Sequence, residues 1–239
     1  MFKSNHRQIK VLIWDLDGTL HFSPEAANLM KQVFINIISK EKNIPFSKAI
    51  ILFEDTSETL TWSKRVRKIT GLKEGNILTK LEKKLDRSDF VKREPKLLDL
   101  FQKLNKFRHI ILTNANHKNT ISTLELLGFA KTGKSNFKPF EKIFSLDNTK
   151  GFKPQKKVFK QILLYTQLPP ESHLMIGDSW SVDILPAKKL NLKTCLVGNY
   201  YPGADYFVRS VYEVPNIFSL NNKLKRYLKS KSFSFGNKT

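Results

Sequence analysis

Val11-Leu12-Ile13-Trp14 is an unbroken apolar run, β-branched or aromatic at most positions. Such a run reads as a strand buried on both faces, as in a parallel sheet, and the strand is expected from about Ile9 to Trp14. Ser23-Pro24-Glu25 then reads as a helix start, with Ser at the N-cap, Pro at the first helical position and an acid in the first turn. Leu29, Val33, Ile37 and Ile38 recur at helical spacing up to about Lys40. A second helical pattern begins near Pro45-Phe46-Ser47, with Ile50, Ile51 and Phe53 as its apolar face. Further helices are expected over Leu60 to Ile69 and Gly75 to Leu85, joined by short turns at Gly71 and Gly75. No strand pattern occurs from Ser23 to about Phe90, so this stretch reads as a helical insertion after the first strand.

The pattern changes at Glu94-Pro95. A helix from Pro95 to Leu104 precedes a short apolar strand, Ile110-Ile111-Leu112, which ends in Thr113-Asn114. A helix carrying Leu124, Leu126 and Leu127 stops at Gly128, and Ile143-Phe144-Ser145-Leu146 is the third strand. Lys153-Pro154 opens a helix with Val158, Phe159, Ile162 and Leu163 on its apolar face. His173-Leu174-Met175-Ile176 is the fourth strand and ends in Gly177-Asp178-Ser179. A helix to about Leu190, with Ser179 as its N-cap, leads to the fifth strand, Leu192 to Val197. Strands alternating with helices predict parallel βαβ units with right-handed crossovers.

Composition narrows the picture. The 239 residues suit one large or two small domains, and 40% hydrophobic residues suffice for a packed core. No apolar stretch is long enough to span a bilayer, and no apolar signal core precedes Val11. The single cysteine, Cys195, lies in the apolar run Thr194-Cys195-Leu196-Val197 and reads as an inert core thiol, so a reducing cytoplasm is the expected setting. Lys+Arg number 42 against 21 Asp+Glu, a net charge of +21. A basic surface raises anion encounter rates and binds nucleic acid non-specifically. The lysines are spread along the chain without a basic-aromatic motif, so specific nucleic-acid binding is not expected. After Glu213 no acid remains; a helix is expected near Ile217 to Leu228 and a flexible basic tail over residues 229–239.

The candidate chemistry lies at the strand ends, where open α/β sheets place their ligands. The first strand runs into Asp15-Leu16-Asp17-Gly18, the second into Thr113-Asn114 and the fourth into Asp178, with Asp183 one helical turn on. Two carboxylates as close as Asp15 and Asp17 repel and need a cation or a shared proton. Taken singly, each residue has a plainer reading: Asp15 and Asp17 as a polar strand exit, Lys153 as a solvated helix-start lysine, Asp183 as an exposed helix acid. His21 reads as a loop residue, and Trp62 and Phe46 as core residues of the insertion. Taken together, carboxylates without His or Cys partners suit a hard cation such as Mg²⁺, and carboxylates with a lysine and a hydroxyl suit phosphoryl transfer. A carboxylate can itself be the nucleophile in such a reaction.

Asp15-Leu16-Asp17-Gly18-Thr19-Leu20, Leu112-Thr113-Asn114, Lys153-Pro154 and Gly177-Asp178-Ser179 with Asp183 together resemble the four motifs of the haloacid dehalogenase-like (HAD) superfamily, in order and in strand context. The resemblance covers about Ile9 to Val197. Gln155 and Lys156 stand where the family's third motif usually has an acid and a proline, and His21-Phe22-Ser23 departs from the Val-Asp-Ser of phosphoglycolate phosphatase-like members. With the resemblance, the expected fold is α/β: a Rossmann-like parallel five-stranded core in order 5-4-1-2-3 with an inserted α-helical cap. The core would comprise residues 1–21 and 93–239, the small, subfamily I-like cap residues 22–92.

The resemblance also implies roles. Asp15 would be the nucleophile and Asp17 the acid and then the base. Asp15, the Asp17 carbonyl, Asp178 and Asp183 would hold Mg²⁺. Thr113 and Lys153 would hold phosphoryl oxygens, helped by backbone around Gly18 and Asn114. The family's dehalogenases lack the second acid, so Asp17 points to a phosphate monoester hydrolase acting on a small phosphorylated metabolite, a nucleotide or sugar phosphate included. A phosphomutase of the same superfamily and a non-catalytic binding module are the alternatives. The oligomeric expectation is monomer or homodimer.

Overall fold

The computed structural model describes residues 8–57, 60–132 and 136–219. An eight-stranded sheet is its spine, in the order β3-β4-β5-β2-β1-β6-β7-β8. The strands are β1 Val11–Trp14, β2 Arg108–Leu112, β3 Lys131–Thr132, β4 Asn136–Phe137, β5 Phe140–Phe144, β6 His173–Gly177, β7 Lys193–Val197 and β8 Tyr206–Val208. The five strands expected from sequence are β1, β2, β5, β6 and β7, all parallel to one another and in the order 5-4-1-2-3. The expected strand count is corrected: β8 adds a sixth parallel strand beyond β7, and β3 and β4 add antiparallel pairing beyond β5. These additions are two or three residues long, too short for an alternation to register in sequence.

β1 sits between β2 and β6, and all four of its side chains are fully buried. Leu12 and Trp14 enter one core cluster, Val11 and Ile13 the other. That is the two-sided burial its unbroken apolar run requires.

Helices α1 Pro24–Lys42, α2 Phe46–Glu54, α3 Trp62–Thr70 and α4 Glu74–Glu82 follow β1, and among the described residues no strand lies between 24 and 90. Ser23 caps α1 by accepting from Ala26 N at 3.1 Å. The four helices share a third cluster, with Val33, Phe34, Ile38, Phe53, Val66 and Ile77 at its centre. Trp62 packs against it, edge-on to Phe34 and Phe53. The expected face of α2 is corrected. Ala49 and Phe53 face inward, while Ile51 is 58% exposed and Phe46, expected in the core, is 39% exposed. Ala49 to Phe53 is an unbroken apolar run, so periodicity could not select a face.

The remaining helices are α5 Pro95–Lys103, α6 His117–Leu127, α7 Lys156–Thr166 and the short α8 Leu185–Lys188. α8 is entered through a π-helical turn, Trp180–Ile184. The helix expected over Ile217 to Leu228 shows its start, residues 214–219 being helical; its remainder and the tail at 229–239 lie outside the described residues. Cys195 is buried, and burial pushes its thiol up to about 12, as befits an inert core position. No helix among the described residues is long and apolar enough to cross a membrane.

Behind β1, Trp14 Nε1 donates to His109 Nδ1 at 3.1 Å. That places the His109 proton on Nε2, which donates to Leu104 O at 3.1 Å. The imidazole is therefore held neutral, and burial pushes its pKa down from 6.5 to about 4. The unfolded chain binds the extra proton below 6.5 while the folded one resists it, so stability is present above 6.5 and lost as pH falls toward 4. Between pH 7 and pH 5 this group alone is expected to remove about 2 kcal/mol from the unfolding free energy. Urea unfolding at both pH values checks it. His109→Gln keeps a donor and an acceptor but cannot titrate, and should shrink the difference by about that amount, leaving the share of His21 and His173, which burial also lowers; an unchanged difference rules the imidazole out as a source.

Candidate active site

Register sets the geometry. Trp14 is level with Ile111 on β2 and Ile176 on β6, so Asp15, Thr113 and Asp178 leave their strands within two residues of one level. Asp15, Thr113, Lys153 and Asp183 are buried. Gly18 turns the chain at φ 91°, and a Cβ there would meet Asp178 Oδ2 at 2.5 Å. Gly177 likewise leaves room for Asp183, whose Cγ would lie 2.5 Å from an added Cβ. Both carboxylates thus rest on glycine backbone.

Lys153 comes from the loop before α7, two residues ahead of the N-cap Gln155 and not at a helix start as the sequence suggested. The Asn114 side chain fixes it there: Asn114 Oδ1 accepts from Lys153 N at 2.8 Å and Nδ2 donates to Lys153 O at 3.0 Å. The Lys153 ammonium donates to Asp15 Oδ1 at 2.5 Å and Asp183 Oδ1 at 2.7 Å. Asp183 is fully buried and accepts from Ser179 N at 3.1 Å through Oδ2. The Ser179 side chain makes no helix-capping bond, contrary to expectation. The turn that follows is π-wound, and the Asp183 carboxylate folds back onto the Ser179 amide. Thr113 Oγ1 accepts from Ala115 N at 3.0 Å, and Thr113 lines the same chamber as Asp15.

Carboxylate oxygens of Asp15, Asp178 and Asp183 all lie within 4.8 Å of one another. Burial, with Asp183 and Asp178 adding repulsion, pushes Asp15 well above the usual carboxylate range against the pull of Lys153. Asp178 is exposed on its outer side, yet desolvation by the groups packed around it and the charge of Asp183 push it up to about 6. Burial alone would lower the Lys153 pKa, but Asp15 and Asp183 outweigh it and hold it above the ordinary lysine value. The donor set is oxygen only, and its mutual repulsion is what a divalent cation relieves, so these residues fit Mg²⁺.

The Asp17 carboxylate lies outside this trio. Its Oδ1 accepts from Arg87 Nη1 at 2.6 Å. Arg87 opens the 3₁₀ turn Arg87–Asp89 after α4 and is 2% exposed. Its Nη2 reaches both carboxylate oxygens of Glu82, the last residue of α4, at 3.3 Å. Nothing in the sequence sets either residue apart. Glu82-Lys83-Lys84-Leu85-Asp86-Arg87 reads as a solvated charge run, and nothing in it signals burial. His21, expected as a loop residue, does lie in the turn after Gly18, but it is buried and stacked on Phe90.

The groups surround a chamber of about 240 Å³. Met30, Leu78, Leu81 and Glu82 line it from the helical insertion; Asp15, Asp17, Thr113, Lys153, Asp178 and Asp183 line it from the sheet side. A wider groove of about 710 Å³ takes in Gly18 and shares Asp178 with the chamber, but holds none of the other expected site residues.

Comparison with known proteins bears on the family and the fold. A family model of haloacid dehalogenase-like hydrolases matches residues 9–191. No curated protein is similar enough in sequence to match. Among solved structures, the HAD phosphatase from Thermococcus onnurineus is 22% identical at a TM-score of 0.54, covering 88% of this chain and 98% of its own. The magnesium-bound YfnB protein of Bacillus subtilis is 21% identical at 0.54, covering 88% and 99%. The L-2-haloacid dehalogenase from Xanthobacter autotrophicus is 14% identical at 0.54, covering 89% and 99%. Likeness at such identities is likeness of fold, and the fold is common to phosphatase and dehalogenase alike. Family match, parallel sheet and strand-end motifs converge: the chain belongs to the haloacid dehalogenase-like hydrolases.

Proposed function

We propose that this hydrolase cleaves phosphate monoesters through an aspartyl-phosphate on Asp15. The observation that carries the reading is Asp17. A second carboxylate lines the same chamber as the nucleophile, available to protonate a leaving oxygen. A dehalogenase expelling halide has no use for that proton.

The residues divide the work. An Asp15 oxygen attacks phosphorus, and the ester oxygen departs with a proton from Asp17. Water then attacks the aspartyl-phosphate and gives its proton to Asp17; phosphate leaves and Asp15 is restored. Lys153, already on Asp15 at 2.5 Å, and the Thr113 hydroxyl hold the phosphoryl oxygens, and Asn114 holds Lys153 in place. Mg²⁺, which Asp15, Asp178, Asp183 and the Asp17 carbonyl would hold, offsets phosphoryl charge when bound. Magnesium in the YfnB protein of similar fold supports that choice of ion. Residues 22–92 serve as the cap that selects the leaving group. A chamber of about 240 Å³ whose roof is apolar apart from Glu82 favours a small alkyl leaving group over a nucleoside.

Release of phosphate from an aryl phosphate, with Mg²⁺ and with excess chelator, tests the reading. Turnover should require the metal. Asp178→Asn should raise the Mg²⁺ concentration needed by about tenfold or more while the fold persists, because it removes one anionic ligand without changing shape. Equal turnover in chelator would sink the metal assignment.

A further inference from the structure

We propose that Arg87 is a positioning residue for Asp17, through which the seat of the cap sets the acid–base carboxylate. The inference rests on the phosphatase reading above and extends it to a residue outside the family motifs.

Arg87 is held at its backbone, over its ring neighbour and at both terminal nitrogens. Asp86 caps its turn by accepting from Ser88 N at 3.0 Å and Ser88 Oγ at 2.7 Å, which fixes the backbone from which Arg87 projects. The guanidinium lies over the Phe90 ring, 5.7 Å from its centroid. Nη1 takes Asp17 and Nη2 takes Glu82. Glu82 is anchored in turn: its Oε2 accepts from Asn116 N at 3.0 Å and from Asn119 Nδ2 at 2.9 Å, both at the start of α6. Asn119 Nδ2 also donates to the Glu82 carbonyl at 2.9 Å. A chain of buried polar contacts thus runs from α6 of the core through the end of α4 to the carboxylate after β1.

Arg87 does not line the chamber, whereas Asp17 and Glu82 do. It therefore acts on the reaction through them. Asp17 Oδ1 is committed to Arg87, and among the described residues Oδ2 has no hydrogen-bond partner, so Oδ2 is the oxygen left to serve the leaving group. A planar fork that engages two carboxylates at once fixes orientation as a single ammonium cannot. Arg87 Nε is buried without a partner, a cost accepted where the other two nitrogens are placed.

A plainer role is possible for the same contacts: a staple between cap and core with no bearing on Asp17. The two differ in what a substitution does to different esters. Acid assistance matters most for poor leaving groups, so loss of Asp17 orientation slows alkyl phosphates more than activated aryl phosphates. A staple slows both alike.

The experiment measures kcat and KM of the full chain with Mg²⁺ on p-nitrophenyl phosphate and on ethyl phosphate. Arg87→Met should lower kcat for the alkyl ester about 10²-fold more than for the aryl ester, the scale of misplacing a reacting group by an ångström. Arg87→Lys should give an intermediate ratio, since it keeps the charge but loses the fork. In an Asp17→Asn background, Arg87→Met should leave the ratio unmoved. An equal fall on both esters, or a ratio that still moves without Asp17, overturns the proposal. If Arg87→Met does not fold, Arg87→Lys decides, and a wild-type ratio in it overturns the proposal. If the unaltered protein turns over neither ester, it is the phosphatase reading that fails; if it turns over both and the ratios stay fixed, only the role of Arg87 does.

Discussion

Asp15→Asn is expected to remove turnover, by about 10⁶-fold, while leaving the protein folded and no less stable without metal. The loss follows from chemistry, since a carboxamide is too weak a nucleophile to form the acyl phosphate. The stability follows from the electrostatics. Burial, joined by Asp183 and Asp178, raises the Asp15 pKa on folding, so the folded state holds the proton more tightly than the unfolded one. A carboxyl with that sign costs stability as pH rises from 3.8 through its folded value, and an amide removes the cost. Lys153 keeps Asp183 at 2.7 Å, so no buried charge is left alone. Phosphate release and urea unfolding at pH 7 check the two halves separately. Turnover at the unaltered rate would move the nucleophile elsewhere. A loss of several kcal/mol would show instead that the Lys153–Asp15 pair is a net stabiliser, and that function and stability are not opposed at this residue.

The contrast between what was legible and what was not has a physical basis. Strands buried on both faces must be unbroken apolar runs, so β1, β2 and β6 announce themselves, and the polar residues that end them are conspicuous. A parallel sheet then brings those ends to one edge, which is why the sequence alone groups Asp15, Thr113 and Asp178. Lys153 and Asp183 were legible as residue types in place, but not as a buried ion pair; each alone has the look of a solvated charge. Arg87 and Glu82 were not legible at all. Their burial is created by α6 and by Asp17, 70 residues away from Arg87, and a helix end rich in lysine gives no hint of it. The edge strands β3, β4 and β8 failed for another reason. At two or three residues, their pairing depends on the neighbouring strand rather than on a pattern of their own.

Asp17→Asn bears on the other half of the reaction and should divide substrates. Asp15 can still attack a phosphate whose leaving group needs no proton, so an activated aryl phosphate should continue to phosphorylate it. Breakdown of the aspartyl-phosphate is different, because the attacking water must lose a proton as it bonds to phosphorus. General acid–base help of this kind is worth about 10²–10⁴-fold, and an alkyl ester needs it twice, once for departure and once for hydrolysis. Steady turnover should therefore fall for both esters and most severely for the alkyl one. From the aryl ester the variant should accumulate an acid-stable, base-labile phosphoryl group, recoverable on the peptide that contains Asp15. Arg87 sharpens the expectation, since asparagine can keep an oxygen facing the guanidinium and so preserve the 2.6 Å contact without the proton chemistry. The fold and the chamber should survive, and the deficit is then assignable to the missing acid rather than to a displaced cap. Unaltered turnover of an alkyl phosphate by Asp17→Asn would mean that another group carries the proton, and the buried Glu82, whose pKa burial raises against the pull of Arg87, would be the next residue to replace.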